Sequence, residues 1–161
     1  MAVDLGLDNL AVLTFKDNSD CYIINGKTIK SKNSYFNKEI ARLQSIRIRQ
    51  LATSKIRDTK RIKYLRLKRR NYIRDYLHKA SCKIVDLAIE NQVETIVIGD
   101  IKNIKQCSKL KSFVQIPIQR LKKLIEYKVK LKGIKVVEID ESYTSGCTKA
   151  FNFNYARKAL V

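Results

Sequence analysis

The sequence has 161 residues, with 34 Lys and Arg against 15 Asp and Glu for a formal charge of +19, 45% hydrophobic residues, five Gly and one Pro. A domain of about 150 residues buries roughly 68–70% of its unfolded surface, which argues for one folded domain with its own core and against disorder throughout. Cys21, Cys82, Cys107 and Cys147 contain no C-x-x-C pair, so no disulfide framework or self-contained zinc site is read from them; no apolar run approaches the ~20 residues of a bilayer span, and the opening Met1-Ala2-Val3-Asp4 is not a signal peptide.

In chain order, Ala2 to Leu5 and Leu10 to Phe15 read as strands joined by the turn Gly6-Leu7-Asp8-Asn9, with Cys21 to Ile24 as the third strand of a meander. Asn33 or Ser34 is the expected cap of a helix running to about Lys55, with Phe36, Ile40, Leu43 and Ile46 at helical spacing. Thr59 is the expected cap of a second helix of about 30 residues ending near Asn91. Its apolar stripe runs from Ile62 and Leu65 through Tyr72, Ile73, Tyr76 and Leu77 to Ala80, Ile84, Leu87 and Ala88. Val93 to Ile98 is a β-branched run and reads as a buried strand stopped by Gly99-Asp100. Gln115 to Leu131 reads as a helix with Pro117 in its first turn and Gly133 past its end, and Lys135 to Ile139 as the last strand. This order predicts an α/β mixed sheet whose later strands are parallel, with a long basic helical pair. Residues 1–148 form the expected core, and residues 149–161 an irregular tail.

The charge is concentrated. Residues 27–83 carry 19 Lys and Arg against Glu39, Asp58 and Asp75, a net +16. An excess of this size points to an anionic partner, nucleic acid first and an anionic membrane surface as the rival. A solvated helical face mixes both signs for i,i+4 pairing, but Arg57, Lys60, Arg61, Lys63, Arg66, Lys68, Arg69 and Arg70 have hardly an acid among them. Such a helix repels itself unless an anion binds. Arg57, Lys60, Arg61, Arg66, Arg69 and Arg70 are therefore the candidate nucleic-acid contacts. Tyr22, Tyr35, Tyr64, Tyr72 and Tyr76 interleave with them and can stack on bases, although the spacing of the last three favours core packing.

Carboxylates fall at strand ends: Asp4 in the first, Asp100 past the fourth, and Asp140 with Glu141 past the fifth. Ligands of an α/β sheet bind near the carboxyl ends of adjacent strands, so acids distant in sequence can converge there. Convergent hard oxygens select Mg²⁺ or Mn²⁺, and a pair of such ions supports phosphodiester cleavage. Asp8, Asp17 and Asp20 are explained by turns. Asp4 lies in an apolar strand, where an unpaired buried carboxylate is costly, so a cation beside it is expected. His78, the lone histidine, is expected to be packed or partly exposed, and Cys147 to be inert.

At Asp4-Leu5-Gly6-Leu7-Asp8-Asn9-Leu10-Ala11 and at Tyr143-Thr144-Ser145 the chain resembles the TnpB (OrfB) family of transposon-encoded, RNA-guided DNA endonucleases. The run Thr95 to Gln106, the stretch from Lys30 to Lys38, Tyr76 to Lys79, and Tyr127 through Val136 resemble family segments in family order. The resemblance implies a ribonuclease H-like (RuvC-like) nuclease domain, incomplete at its C-terminus. Asp4 corresponds to the first catalytic aspartate. Family members commonly carry Glu where this chain has Gly99; it resembles the branch in which a Glu before Tyr-Thr-Ser takes that role, which is Glu141, with Asp100 as the alternative. The third acid and the paired cysteines of a zinc ribbon have no counterpart, so a truncated element without zinc is expected.

The resemblance implies DNA and guide RNA as partners, Mg²⁺ or Mn²⁺ held by Asp4 and Glu141, no small-molecule cofactor and no membrane. A cytoplasmic location, on the nucleoid when DNA is bound, is expected. With two of three acids, this chain is expected to bind nucleic acid and to cut little or not at all. The alternative is a non-catalytic nucleic-acid-binding protein acting by occupancy.

Overall fold

The structure is a computed structural model and describes residues 1–16, 21–51, 58–100, 116–140 and 157–160. Alternating apolar residues at the start of the chain form β1 (Ala2–Asp4), β2 (Asn9–Thr14) and β3 (Cys21–Asn25), each antiparallel to the one before. Two long helices follow, α1 (Lys27–Leu51) and α2 (Lys60–Glu90). Then come β4 (Thr95–Asp100), α3 (Ile118–Leu131), β5 (Lys135–Asp140) and β6 (Arg157–Leu160). The sheet order is β5-β4-β1-β2-β3-β6, with β4 parallel to β1, β5 parallel to β4 and β6 parallel to β3. The expected mixed α/β sheet with parallel later strands is present.

One face of this sheet carries the core. Val3, Leu13, Ile24, Ile96 and Ile98 pack with Leu77, Ile84, Leu87 and Ala88 of α2 and with Leu121, Ile125 and Val129 of α3 in one buried cluster. Strand alternation puts Ala2, Asp4 and Val12 on the opposite face, and Asp4 is exposed there. The desolvation cost expected at Asp4 therefore does not arise: β1 is three residues long, and only Val3 within it turns to the core.

The junction between β3 and α1 explains why α1 begins at Lys27 and not at Asn33 or Ser34. The Asn25 side-chain oxygen accepts the Lys27 N–H at 2.8 Å and so caps the helix early. Gly26 donates its N–H to the Asp8 carbonyl at 2.9 Å, and a Cβ at this position would collide with the Leu7 carbonyl oxygen. Only glycine fits that approach. Asp8, read as a turn former, also accepts a 2.9 Å bond from the Lys30 ammonium, which holds its carboxyl below the usual carboxylate range. Asn33 is instead buried in mid-helix.

Thr59 caps α2 as expected, its hydroxyl accepting the Ile62 N–H, and α2 ends at Glu90 with Asn91 as its C-cap. Pro117 stands at the N-cap of α3, one place before the first turn. Gly133 takes the positive φ, 72°, that ends α3. β4 runs on through Gly99 and Asp100, because pairing with β5 continues to Asp100 opposite Asp140. Residues 157–160, expected within an irregular tail, form β6 by pairing along β3.

The helical pair is a second, smaller packing unit. Ile29 and the later half of α2 belong to the sheet core, whereas Phe36, Ile40 and Ile62 are buried outside that cluster where α1 meets the start of α2. The Tyr76 hydroxyl donates to the Asn25 carbonyl at the end of β3. The part of α2 before Tyr76 therefore extends past the carboxyl end of β3, at 1.5 Å per residue, together with α1.

Candidate nucleic-acid interface and carboxylate edge

The sheet register sets the positions of the strand-end acids. Val3 pairs with Ile98, so Asp4 comes abreast of Gly99, one residue before Asp100, and Asp100 pairs with Asp140. Neighbouring strands lie about 4.8 Å apart, which puts the backbone of Asp4 roughly 5 Å from that of Gly99 and roughly 10 Å from β5. The Asp4 carboxylate is exposed, and among the described residues no basic side chain pairs with it. A free hard-oxygen donor of this kind suits Mg²⁺ or Mn²⁺. Glu141 lies outside the described residues, as do the side chains of Asp100 and Asp140, and among the described residues no three His, Cys, Asp or Glu groups gather around one point.

The basic side lies along α2. Lys60, Arg61, Arg66 and Arg70 are exposed on it, as is Arg74, while Arg57 lies outside the described residues. Arg69 behaves differently from its neighbours. Half-buried, it donates from Nε to the Asn33 side-chain oxygen, which ties α2 to α1. Burial and, second, the like charge of Arg66 hold its guanidinium below its ordinary pKa. Arg66 pairs with Asp58 at 3.2 Å, both groups partly exposed. Such a pair contributes at most about 1 kcal/mol.

Arg66, Arg69, Arg70 and Arg74 also line a cavity of about 310 Å³ together with Ile73, Pro117 and Arg120. Arg74 and Arg120 are absent from the candidate contacts read in the sequence. Arg74 continues the i, i+4, i+8 row of Arg66 and Arg70, a signal available from spacing. Arg120 carries no such signal, because only the packing of α3 on α2 brings it there.

Other sequence candidates fall out of the site. His78 is exposed, and its carbonyl accepts a bond from Lys128. Cys21 is buried and Cys82 exposed, neither in a disulfide, and Cys107 and Cys147 lie outside the described residues. Tyr72 and Tyr76 are half-buried as the spacing implied, but Tyr64 is 59% exposed and Tyr35 57%. At Tyr64 the expectation of core packing fails, because this turn of α2 lies beyond the sheet core. Among the described residues no helix is long and apolar enough to cross a membrane.

A family model described as a probable transposase, OrfB of the IS605 type, matches residues 1–105. The CRISPR-associated endodeoxyribonuclease Cas12f2 of Micrarchaeota archaeon (strain CG1_02_47_40) is 33% identical over 156 residues, covering 90% of this chain and 27% of that protein. Among solved structures, a chain of a Cas12f1–sgRNA–target DNA complex matches with a TM-score of 0.65 and 22% identity, covering 94% of this chain and 38% of its own. A CRISPR–Cas12f ternary complex matches with a TM-score of 0.64 and 21% identity, covering 89% of this chain and 28% of that one. The chain therefore spans about a quarter to two fifths of these relatives, and the solved structures share its fold. The family model covers more than half of the sequence, and the chain belongs to the TnpB (OrfB) family of probable transposases.

Proposed function

We propose that this chain is part of a ribonuclease H-like (RuvC-like), transposition-associated nuclease that binds DNA and guide RNA and, with a full acidic set, cleaves DNA phosphodiesters by two-metal catalysis. The observation that carries it is the register that brings the carboxyl ends of β1, β4 and β5 to one sheet edge, with the acid-poor face of α2 extending past that same edge. The similar chain solved in a Cas12f1–sgRNA–target DNA complex supports the choice of partners.

In this reading Asp4 and Glu141, with Asp100 as the alternative to Glu141, hold Mg²⁺ or Mn²⁺. When bound, the ions activate water and stabilise the leaving oxygen. The chain's own part is to present carboxylate oxygens at a solvent-open strand end and to hold the phosphate backbone against α2. Lys60, Arg61, Arg66, Arg69 and Arg70 supply that contact, with Arg57 adjoining them in sequence. The exposed rings of Tyr35 and Tyr64 offer flat surfaces to unpaired bases. A cytoplasmic, nucleoid-associated location follows from a DNA target.

A second reading is binding by occupancy without cleavage, which needs only the exposed, acid-poor basic face of α2. Binding and cutting separate experimentally. The purified 161-residue chain is titrated with duplex DNA, single-stranded DNA and an RNA–DNA hybrid across a range of KCl, then incubated with each in Mg²⁺ or Mn²⁺. The expected result is binding that weakens steeply with salt, with a slope of about 0.9 per phosphate contact on duplex DNA, and no cleavage. Cleavage abolished by Asp4→Ala would establish the nuclease over the occupancy reading. Lipid binding without salt-sensitive nucleic-acid binding would overturn both.

A further inference from the structure

We propose that Arg70 and Arg74 of α2, with Arg120 of α3, form a discrete seat for one internal phosphodiester of the bound nucleic acid, a step that rests on the nucleic-acid reading above. The seat is the cavity of about 310 Å³ between the two helices, lined among the described residues by five arginines and no lysine. That selection matters. A merely solvated face is served equally well by Lys, whereas the planar guanidinium fork matches two phosphate oxygens at once.

The charges around the cavity are poorly compensated. Arg66 has Asp58, and Arg69 is committed to Asn33. Arg70, Arg74 and Arg120 have no carboxylate partner among the described residues. The start of α3 adds to the positive field, since it has no acid in its first turn and no side-chain cap. An anion with several oxygens relieves this repulsion.

Position then selects a backbone phosphate. Tyr76 marks the level of the end of β3, and β3 is parallel to β1, so Asn25 and Asp4 end at the same edge. Arg74 and Arg70 stand about 3 and 9 Å beyond Tyr76 along α2. A strand held there passes the sheet edge that carries Asp4.

The test compares Arg74→Gln/Arg120→Gln with Lys130→Gln/Lys132→Gln, which removes the same charge from exposed positions at the far end of α3. The seat predicts that the arginine variant loses about tenfold or more in affinity for duplex DNA and that its salt slope falls by about 1, while the lysine variant changes both far less. Arg74→Lys/Arg120→Lys keeps the charge and loses the fork, so it should keep the slope and still lose affinity. DNA with and without a 5′-phosphate should bind alike; binding that requires the end phosphate overturns the internal-phosphodiester assignment. Equal losses in the arginine and lysine pairs overturn the seat while nucleic-acid binding stands. If the wild-type chain binds no nucleic acid, the earlier reading fails, and the seat is judged by thermal stabilisation with pyrophosphate. Stabilisation lost in Arg74→Gln/Arg120→Gln supports a phosphate seat, and no stabilisation of the wild type overturns it.

Discussion

Ile62→Ala is the sharpest test of whether the helical pair is a packing unit apart from the sheet core. The Ile62 side chain is fully buried, yet it lies outside the main cluster and close to Phe36 and Ile40 in character and burial. The substitution removes three carbons. At about 0.8 kcal/mol per buried methylene the transfer loss is ~2.4 kcal/mol, and a cavity term brings the expected cost into the range of about 2–5 kcal/mol. That loss should fall first on the α1–α2 pair, because Ile62 lies outside the cluster that carries the strand residues. Native-state hydrogen exchange reads it directly: amides of residues 36–46 and 62–72 should lose protection, while those of residues 80–88 change little. Ile84→Ala, inside the sheet core, should lower protection in both groups. If Ile62→Ala instead lowers both groups equally, the helical pair and the core unfold together and the separation is refuted. The outcome bears on function, since a loosened α2 no longer holds its arginine row against α3.

Four further outcomes are expected. Asp4→Ala should leave the melting temperature nearly unchanged, because exposed positions away from caps and pairs usually shift stability by less than about 0.5 kcal/mol, and nucleic-acid affinity should hold within about twofold; a collapse of the fold would mean that Asp4 is structural. Asn33→Ala should cost ~1–3 kcal/mol in denaturant unfolding by leaving Arg69 without this acceptor, and should weaken DNA binding through misplacement of that arginine. Lys122, 4% exposed, meets Glu138 at 2.7 Å, so Glu138→Ala should cost more than Lys122→Met, since only the first leaves a buried ammonium without this carboxylate; the reverse order of melting temperatures would refute this. Lys30 keeps Asp8 ionised to a lower pH in the folded chain than in the unfolded one. Its contribution is therefore present above the ordinary carboxylate range and fades as pH falls through the depressed value; Asp8→Asn should flatten that acid limb in an NMR-monitored titration.

Much of the architecture was legible along the chain because its causes are local. Strand alternation around Val3 and Leu13, the Thr59 cap, the α2 stripe, and Gly133 after α3 all act within a few residues, and period and capping chemistry report them. The misplaced boundaries have a different origin. Asn33 is a good cap by type, but Asn25 reaches Lys27 first, and the contact that then claims Asn33 comes from Arg69, 36 residues away. The end of β4 depended on a partner strand: Gly99 and Asp100 read as a stop until β5 supplied the ladder. β6 likewise exists by pairing with β3.

For the candidate site the division is the same. Charge, family motifs and the identity of the strand-end acids are properties of the residues themselves, so composition and order were enough to name Asp4 and the arginines of α2. Which face Asp4 occupies, which residues stand abreast of it, and whether Arg120 faces Arg70 and Arg74 depend on sheet register and helix packing. Those are settled by burial of apolar surface between segments far apart in the chain, a contribution to the free energy that no local pattern of letters encodes.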